Sequence, residues 1–350
     1  MKKKKMEELK ILIENRQLTV EKLNQFFSEG FEINSIIDLN TKNSILHLLV
    51  SQYEPNEELI RFVLEKNANP NLKNKQYRTP LQHFYRIDET PTKVIKLLLE
   101  FKADANLKIK GKNYLHYFCE SDSPNRELGE LLSSHSDINM INSSCSSPLM
   151  ILCCKRDLKE TMINIFLKNK ANPNLICNQY NPFAAICQNS RFELIKTFLE
   201  HQSDPNIEFK EGCTPFTNFL SSNKNIDRKT MQLFFENKAD ISNKFTPLYH
   251  ILNNPKLSFE LLEIFKSNVE LEKHKDYLKT LFRRDFTDLK VFKFYVENGA
   301  SLIHSIYQGF ENTNFFPFDI LKYLLEMKAS PNDHPNRFLF YCYFLNFIHL

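Results

Sequence analysis

Apolar residues along the chain fall into paired short blocks that recur at an almost constant interval. The first block of each pair begins with a small polar residue, often followed by proline, and then by leucine or phenylalanine. That apolar residue stands at positions 46, 81, 115, 149, 183, 216 and 248, in steps of 35, 34, 34, 34, 33 and 32 residues. A fixed period in this range indicates a repeat architecture in which each unit is stabilised by its neighbours.

The small polar residue of each unit is predicted to cap the start of a helix. A Ser, Thr or Asn side chain accepts a hydrogen bond from the backbone amides at a helix start, and proline fits the first helical position because no amide partner is lost there. In the second unit this helix is predicted from about Pro80 to Arg86, and turn-forming residues that include Asp88 and Pro91 follow it.

The second apolar block of each pair has helical spacing and a higher apolar content, which indicates a helix packed on two sides. In the second unit it contains Val94, Ile95 and Leu98, and its counterparts cover 59–64, 162–167, 194–199 and 261–265. A small residue followed by Asp, Asn or Pro then forms a turn. About eight polar residues lead to the next unit. Each unit is therefore predicted as helix, turn, helix and extended hairpin-like loop.

Both recurring phrases resemble those of the ankyrin repeat. Thr79-Pro80-Leu81-Gln82 resembles its T-P-L-H motif, and Lys102-Ala103-Asp104-Ala105-Asn106 resembles its G-A-D-x-N segment. The tetratricopeptide repeat has a similar period, but its Trp-containing pattern is absent from this chain, which has no Trp. The resemblance is strong over about 40–275 and weaker over nearly the whole chain. It implies an all-α fold, an ankyrin-repeat α-solenoid of about nine to ten stacked helix-turn-helix units.

Four parts of the chain are predicted. Residues 1–40 form an N-terminal capping unit with helices over 6–14 and 20–29, residues 41–275 form seven ankyrin-type repeats, residues 276–334 form two degenerate units, and residues 335–350 form an aromatic C-terminal capping helix. Lys2 to Lys5 are interpreted as a solvated tail, with a nuclear-import or anionic-membrane element as the alternative.

The residue that ends each second helix departs from the family pattern, in which it is usually glycine. Gly30 and Gly299 keep that residue, whereas the other positions are Asn67, Lys102, His135, Lys170, Gln202, Lys238 and Lys328. A residue other than glycine in the left-handed conformation costs about 1 kcal/mol, and Asn costs less. We therefore predict that this array is less stable than one with the family's usual glycines.

Composition narrows the function classes without selecting a partner. Charged residues make up 25% and hydrophobic residues 42%, as in folded proteins, and the net charge of +4 is too small to indicate nucleic-acid binding by itself. No stretch approaches the roughly 18 apolar residues of a membrane span, and the N-terminus lacks the features of a signal peptide. The eight cysteines form no CxxC pair, which favours reduced thiols and a cytoplasmic location, with the nucleus as the alternative.

Motifs typical of enzymes are absent from the sequence. There is no Gly-rich phosphate loop, HExxH, GxSxG or kinase signature, so we predict no catalytic residue, no cofactor, no metal and no small-molecule substrate. His47 and His116 occupy the motif position that the resemblance marks as a structural hydrogen-bonding group. Cys153 and Cys154 are predicted to point in different directions within a first helix and to be buried small hydrophobic side chains.

Two consecutive hairpin loops, 72–78 and 107–112, are rich in cationic residues, and aromatic residues follow them in the next helices. The resemblance implies that partners bind at the tips and inner helices, so this patch predicts a protein partner with acidic segments. A nucleic-acid backbone or another anionic surface is the alternative, and solvated loop charges without a partner are the default interpretation. The candidate partner-binding residues are Lys73, Lys75, Tyr77, Arg78, His83, Tyr85, Lys108, Lys110, Lys112 and Tyr117.

Two further predictions concern a modification and the C-terminus. The resemblance implies that hairpin asparagines are candidates for asparaginyl hydroxylation, and Asn139, with Leu131 eight residues before it, is the nearest match. The segment 337–350 is predicted to be one more helix that covers the last unit. Its alternative role is self-association or partner binding through Phe338, Phe340, Tyr341, Phe344 and Phe347.

The function class predicted from these features is a non-enzymatic scaffold or adaptor that presents a long concave surface to other proteins. One alternative is a substrate-recruiting subunit of a larger complex such as a ubiquitin ligase, although the sequence contains no recognisable ligase-docking box. The other is an enzyme with its site in the concave groove, for which the repeats leave no catalytic domain.

Overall fold

The computed structural model describes residues 2–86, 91–122, 124–157, 160–189, 191–223 and 226–240, together with 263–264, 289–297, 319 and 322–323. The chain forms two compact units. One contains residues 1–185 and 200–203, and the other contains 186–199 and the described residues from 204 onward. The predictions for Gly299, Lys328, the helix start at 246–248 and the aromatic segment 335–350 lie outside the described residues.

Helices follow one another in pairs, as the apolar periodicity predicts. In chain order they are α1 (Lys2–Glu14), α2 (Val20–Ser28), α3 (Ile45–Val50), α4 (Glu57–Glu65), a 3₁₀ helix (Leu81–Arg86), α5 (Thr92–Glu100), α6 (Tyr114–Glu120), α7 (Arg126–His135), α8 (Pro148–Cys153), α9 (Glu160–Lys168), α10 (Pro182–Cys187), α11 (Phe192–Glu200), α12 (Pro215–Ser222), α13 (Arg228–Glu236) and α14 (Leu289–Glu297).

In the unit formed mainly by residues 1–185, the first helices of neighbouring repeats pack in one row and the second helices in another. The 3₁₀ helix contacts α6, and α6 contacts α8, while α4, α5, α7 and α9 contact one another in that order. The apolar residues that mark the period are buried: Leu46, Leu81, Leu115 and Leu149 are each at most 1% exposed. Since these side chains are covered by adjacent repeats, each repeat depends on its neighbours for its core.

Helix capping follows the sequence prediction in most of the described repeats. The side chains of Asn113, Ser147 and Thr214 accept hydrogen bonds from the backbone amide three residues on, at 3.1, 3.2 and 3.1 Å. Pro148 and Pro215 occupy the first turn of their helices. These caps explain why the recurring phrase starts a helix.

The second repeat is an exception, because the predicted α-helix from Pro80 is a 3₁₀ helix over Leu81–Arg86. The backbone N–H of Gln82 donates to the Thr79 carbonyl at 3.0 Å, and the Thr79 hydroxyl makes no capping bond. The Gln82 side chain instead accepts from the Thr79 N–H at 3.0 Å and donates to the Leu107 carbonyl at 2.7 Å. This tighter turn replaces the predicted helix start.

The hairpin-like loops carry short antiparallel pairing. Strand β1 (Ile36–Asp38) pairs with β2 (Asn43–Ser44), with Ile36 opposite Ser44 and Asp38 opposite Asn43. Later loops have single bridges between residues 109 and 112, 177 and 180, and 210 and 213. These bridges narrow each loop to a tip that projects from its pair of helices.

The ends of the second helices adopt the left-handed conformation at five of the predicted non-glycine positions. Their φ angles are 64° at Asn67, 64° at Lys102, 66° at Lys170, 62° at Gln202 and 62° at Lys238, and Gly30 has 83°. The prediction is wrong at His135, which is the last residue of α7. The helix continues there because Ser136, with φ −117°, donates its N–H to the Leu132 carbonyl at 2.9 Å.

The N-terminal lysines are part of α1, which begins at Lys2 and not at Met6 as predicted. The lysine run is therefore helical and not a detached tail, and Lys5 forms an ion pair with Glu29, at the end of α2, at 2.8 Å. No helix among the described residues is long and apolar enough to cross a membrane.

Two cysteines are joined in the structure. Cys145 and Cys177 form a disulfide with a Cα–Cα distance of 5.5 Å. The expectation of reduced thiols throughout is therefore wrong for this pair, because stacking brings together two hairpin tips that are 32 residues apart in sequence. Cys153 is buried as predicted, whereas Cys154 is exposed, so the prediction of a buried side chain is wrong there; the two side chains do point in different directions, as predicted.

Candidate partner-binding surface

A ladder of asparagine side chains sets the spacing between consecutive loops. The Asn71 side chain donates to the Lys102 carbonyl at 2.9 Å and accepts from the Asp104 N–H at 2.8 Å. The same pattern joins Asn34 to residues 67 and 69, Asn139 to 170 and 172, and Asn206 to 238 and 240. In each case the accepting carbonyl belongs to the left-handed residue that ends the second helix.

Asn139 therefore has a structural role that the sequence prediction did not include. Its side chain donates to the Lys170 carbonyl at 3.1 Å and accepts from the Asn172 N–H at 2.7 Å. Its own N–H donates to Asp137 at 3.0 Å. Hydroxylation at Asn139 stays a prediction.

The two motif histidines also connect neighbouring repeats. His47 Nδ1 lies 2.8 Å from the Ser44 hydroxyl, and its Nε2 lies 2.9 Å from the Arg78 carbonyl in the next tip. His116 Nε2 lies 3.1 Å from the Ser146 carbonyl. Burial lowers the pKa of both imidazoles below the ordinary value. Their predicted structural role is confirmed by these contacts.

Four of the predicted binding residues form a continuous row, here named the cation–aromatic row: Arg78, Tyr85, Tyr117 and Lys112. Arg78 donates to the Tyr85 hydroxyl at 2.7 Å, and its guanidinium lies 4.9 Å from the centre of that ring. The Tyr85 and Tyr117 ring centroids are 4.5 Å apart, and Lys112 Nζ lies 5.6 Å from the centre of the Tyr117 ring. Such contacts fix the direction of side chains that would otherwise be mobile.

The remaining predicted cations lie at the hairpin tips, outside this row. Lys73, Lys75, Lys108 and Lys110 are exposed, and Tyr77 is 77% exposed with φ 58°. Lys108 donates to the Ile141 carbonyl of the next loop at 3.3 Å. The structure thus places four of the ten candidates in the row and five on the tips, and the tenth, His83, lies beside the row.

His83 lies beside the row, next to a pocket of about 220 Å³. Burial lowers the pKa of His83, and the nearby Arg78 guanidinium lowers it further. Asn74 shapes the wall of this pocket, because its side chain accepts from the Gln76 and Arg78 N–H groups at 3.0 and 3.1 Å and donates to Asn43 at 2.9 Å. The pocket is lined by Thr41, Asn43, His47, Ser51, Asn74, Gln76, Arg78, Thr79 and His83.

Sequence reasoning did not select Asn43, Asn74 or Thr79 as site residues. Their identity gives a weak signal, since Asn and Thr are frequent in turns and caps. One signal was present: Asn142 occupies the same position relative to its helix mark as Asn74, and it accepts in the same way from Ser144 and Ser146 at 2.9 and 3.0 Å. In the part of the chain that the structure describes, no group of three or more His, Cys, Asp or Glu side chains is placed to hold a metal ion.

Comparison with known proteins identifies the repeated unit. Residues 46–140 match the family model described as ankyrin repeats (3 copies), which confirms the sequence resemblance over that segment. No curated protein matches the chain. Among solved structures, the chain is similar to the ankyrin repeat domain of Bcl-3, described as a unique member of the IkappaB protein family. That similarity has 19% identity and a TM-score of 0.48, and covers 65% of this chain and 97% of that one.

Proposed function

We propose that this chain, which is an ankyrin-repeat protein, acts as a non-enzymatic scaffold or adaptor that binds other proteins through its hairpin tips and inner helices. Ankyrin repeats generally mediate protein–protein interaction. The observation that carries the proposal is that the segment matched by the family model, residues 46–140, also holds the cation–aromatic row and the tip lysines.

Charge indicates the chemistry of the partner. Among the described residues, Lys73, Lys75, Lys108 and Lys110 form no ion pair with a carboxylate, whereas Lys112 pairs with Glu120 at 2.5 Å. Unpaired cations beside fixed tyrosine rings favour a segment that supplies carboxylates and some apolar surface. An acidic protein segment is therefore the proposed ligand of this surface.

Affinity capture from native cells tests this function. The full chain is compared with a Lys73→Glu, Lys75→Glu double variant and with a Lys93→Glu, Lys96→Glu control. The control makes the same charge change on the exposed side of α5. We expect the tip variant to lose its specific partners and the control to retain them. If both variants retain every partner, or if the captured molecule is nucleic acid, the proposed function is wrong.

We also propose that the protein acts in the cytoplasm, with the nucleus as the alternative. Disulfides are rare in cytosolic proteins because glutathione and thioredoxin keep thiols reduced. In the cytoplasm the Cys145–Cys177 disulfide of the structure would therefore be reduced, and cells quenched in acid and labelled with a maleimide polymer would show these two residues as thiols. Labelling only after reduction would place the protein in an oxidising compartment.

A further inference from the structure

The pocket beside the cation–aromatic row contains polar groups whose hydrogen-bonding capacity is not used within the described structure. Thr79 is 1% exposed, and its hydroxyl has no hydrogen-bond partner. A buried hydroxyl without a partner destabilises a fold by about 1–3 kcal/mol, so such a group at the wall of a pocket indicates a missing partner. This feature is absent from the other capped repeats, where the equivalent hydroxyl of Ser147 or Thr214 binds a backbone amide.

Arg78 supplies the charge of this pocket. Its guanidinium donates to the Tyr85 hydroxyl and stacks near that ring, which uses part of its five N–H donors and fixes the plane of the group. His83 lines the same pocket as Arg78, and burial together with the Arg78 charge lowers the pKa of this imidazole. A guanidinium held in a fixed plane is well suited to a carboxylate.

No carboxylate among the described residues neutralises Arg78. Asp38 is bonded to a lining residue, since it accepts from the Thr41 hydroxyl at 2.8 Å. It also accepts from the Asn40 N–H at 3.0 Å and lies 3.7 Å from Lys10 Nζ, so its charge is committed to its own turn. The pocket is therefore lined by a cationic residue without a compensating carboxylate in the described structure.

The size of the pocket limits its ligand. Sites for small molecules and cofactors occupy about 300–1,000 Å³, whereas this pocket is about 220 Å³. A single extended side chain is the better match for that volume. His47 is not a donor to such a ligand, because its Nε2 already contacts the Arg78 carbonyl at 2.9 Å.

We propose that this pocket binds one carboxylate side chain of the acidic partner segment, with the Arg78 guanidinium and the Thr79 hydroxyl as its donors. The proposal rests on the proposed function, since it presupposes a protein partner. The cation–aromatic row then continues the same surface along the rest of the partner segment. The tip lysines attract the segment from solution, and the pocket fixes its register.

Fluorescence anisotropy of the full chain with a labelled hexaglutamate peptide at about 150 mM salt tests the pocket. Arg78→Gln is expected to weaken binding about tenfold, or about 1.4 kcal/mol. Thr79→Val is expected to weaken it about threefold while the melting temperature stays equal or rises, because the removed hydroxyl has no partner in the structure. Lys96→Gln, on the exposed side of α5, is the matched control, and it should change binding less than about twofold because an isolated exposed charge contributes little.

A second measurement follows His83 directly. A bound carboxylate favours the charged imidazole, so the pKa of His83 measured by NMR should rise when hexaglutamate is added, and hexaglutamine should leave it unchanged. Equal losses of affinity in Arg78→Gln and Lys96→Gln, or unchanged binding in Thr79→Val, would overturn the assignment of a carboxylate to this pocket. Tighter competition by inorganic phosphate than by acetate would do the same.

The failure of this inference can be distinguished from failure of the proposed function. If hexaglutamate does not bind, or binds without dependence on Arg78, the pocket assignment is wrong. Loss of cellular partners in the Lys73→Glu, Lys75→Glu variant would still support a scaffold that recognises acidic proteins through its tips. Retention of those partners would remove the proposed function as well.

Discussion

Single side chains in this protein connect neighbouring repeats, through residues that are 30 to 33 positions apart in sequence. Each ladder asparagine bonds a carbonyl and an N–H of the following loop, and each motif histidine reaches a carbonyl of the following tip. These bonds are made by residues whose own backbone is already fixed by local turns. A substitution at one such position therefore affects the junction between two repeats rather than a single loop.

Replacement of Asn139 tests the asparagine ladder. Asn139→Ala removes the hydrogen bonds to the Lys170 carbonyl and the Asn172 N–H. These two backbone groups lie near solvent, so each can bind water in the variant. We expect the free energy of unfolding to fall by about 0.5–1.5 kcal/mol per lost bond, measured by urea denaturation. Asn15→Ala at the exposed end of α1 is the control. Equal losses in the two variants would show that the ladder adds nothing to stability.

The motif histidines predict a dependence of stability on pH. Burial lowers the pKa of His47 and His116 below 6.5, so between pH 6.5 and that lower value the unfolded chain binds more protons than the folded chain. The stability they contribute is complete above pH 6.5 and is lost as pH falls through this window. Urea denaturation between pH 7.5 and 5 should show this loss.

Glutamine provides the matched variant for this measurement. Gln82 occupies the same motif position in the second repeat, accepts from the Thr79 N–H and donates to the Leu107 carbonyl. The double variant His47→Gln, His116→Gln should therefore remain folded at pH 7.5 and lose stability less steeply toward pH 5. An unchanged slope would mean that these two imidazoles do not titrate with folding.

At the scale of whole elements, the sequence predicts helices well and loop contacts poorly. The caps at Asn113, Ser147 and Thr214 are local, since each bond lies within four consecutive residues, so the sequence alone predicts them. The 3₁₀ helix over Leu81–Arg86 was missed because its geometry depends on Gln82 reaching the Leu107 carbonyl in the next repeat. The disulfide was missed for the same reason, since it depends on how two tips stack.

Glycine substitutions measure how closely neighbouring tips pack. A Cβ on Gly111 would lie 2.5 Å from Ser143 Cβ, whereas a Cβ on Gly30 would meet nothing within 4 Å. Both residues have positive φ, at 78° and 83°. Gly111→Ala should therefore cost about 2–3 kcal/mol, and Gly30→Ala about 1 kcal/mol from backbone strain alone. If the two variants lost the same free energy of unfolding in thermal or urea denaturation, the loops of Gly111 and Ser143 could move apart without an energetic cost, which would contradict this prediction.

The disulfide between two tips predicts a dependence of stability on redox conditions. It closes a segment with a separation of 32 residues, for which the chain-entropy model gives a stabilisation of about 3–4 kcal/mol. Oxidised protein should therefore unfold at higher urea than reduced protein or Cys145→Ser. Cys213→Ser, at the tip of a later loop and outside the disulfide, is the control. Coincident unfolding curves for oxidised and reduced wild-type protein would contradict this expectation.

At the scale of the whole molecule, the period of the sequence predicts the repeat fold, but it predicts the candidate site only in part. The cations and tyrosines of the cation–aromatic row stand out as residue types in consecutive units. Their side-by-side arrangement, and the role of Thr79 in the pocket wall, depend on contacts between residues in different repeats. Periodicity predicts which elements are neighbours, whereas it does not predict the side-chain hydrogen bonds that those neighbours leave unused.

The left-handed residues that end the second helices should limit the stability of the entire array. Lys102, Lys170 and Lys238 adopt φ of 62–66°, at a cost of about 1 kcal/mol each. Because each repeat is stabilised by its neighbours, these costs add along the array, and we expect the wild-type chain to melt below about 80 °C.

The triple variant Lys102→Gly, Lys170→Gly, Lys238→Gly should raise the melting temperature by several degrees. The gain is smaller than the relieved strain alone would give, because glycine increases the entropy of the unfolded chain. Lys66→Gly is the control, because φ is −82° there and glycine relieves no strain; it should lower the melting temperature. Differential scanning calorimetry measures the melting temperatures of the wild-type chain, the triple variant and the control. Equal destabilisation by the triple variant and the control would show that the lysine side chains, and not their backbone strain, determine the stability of these helix ends.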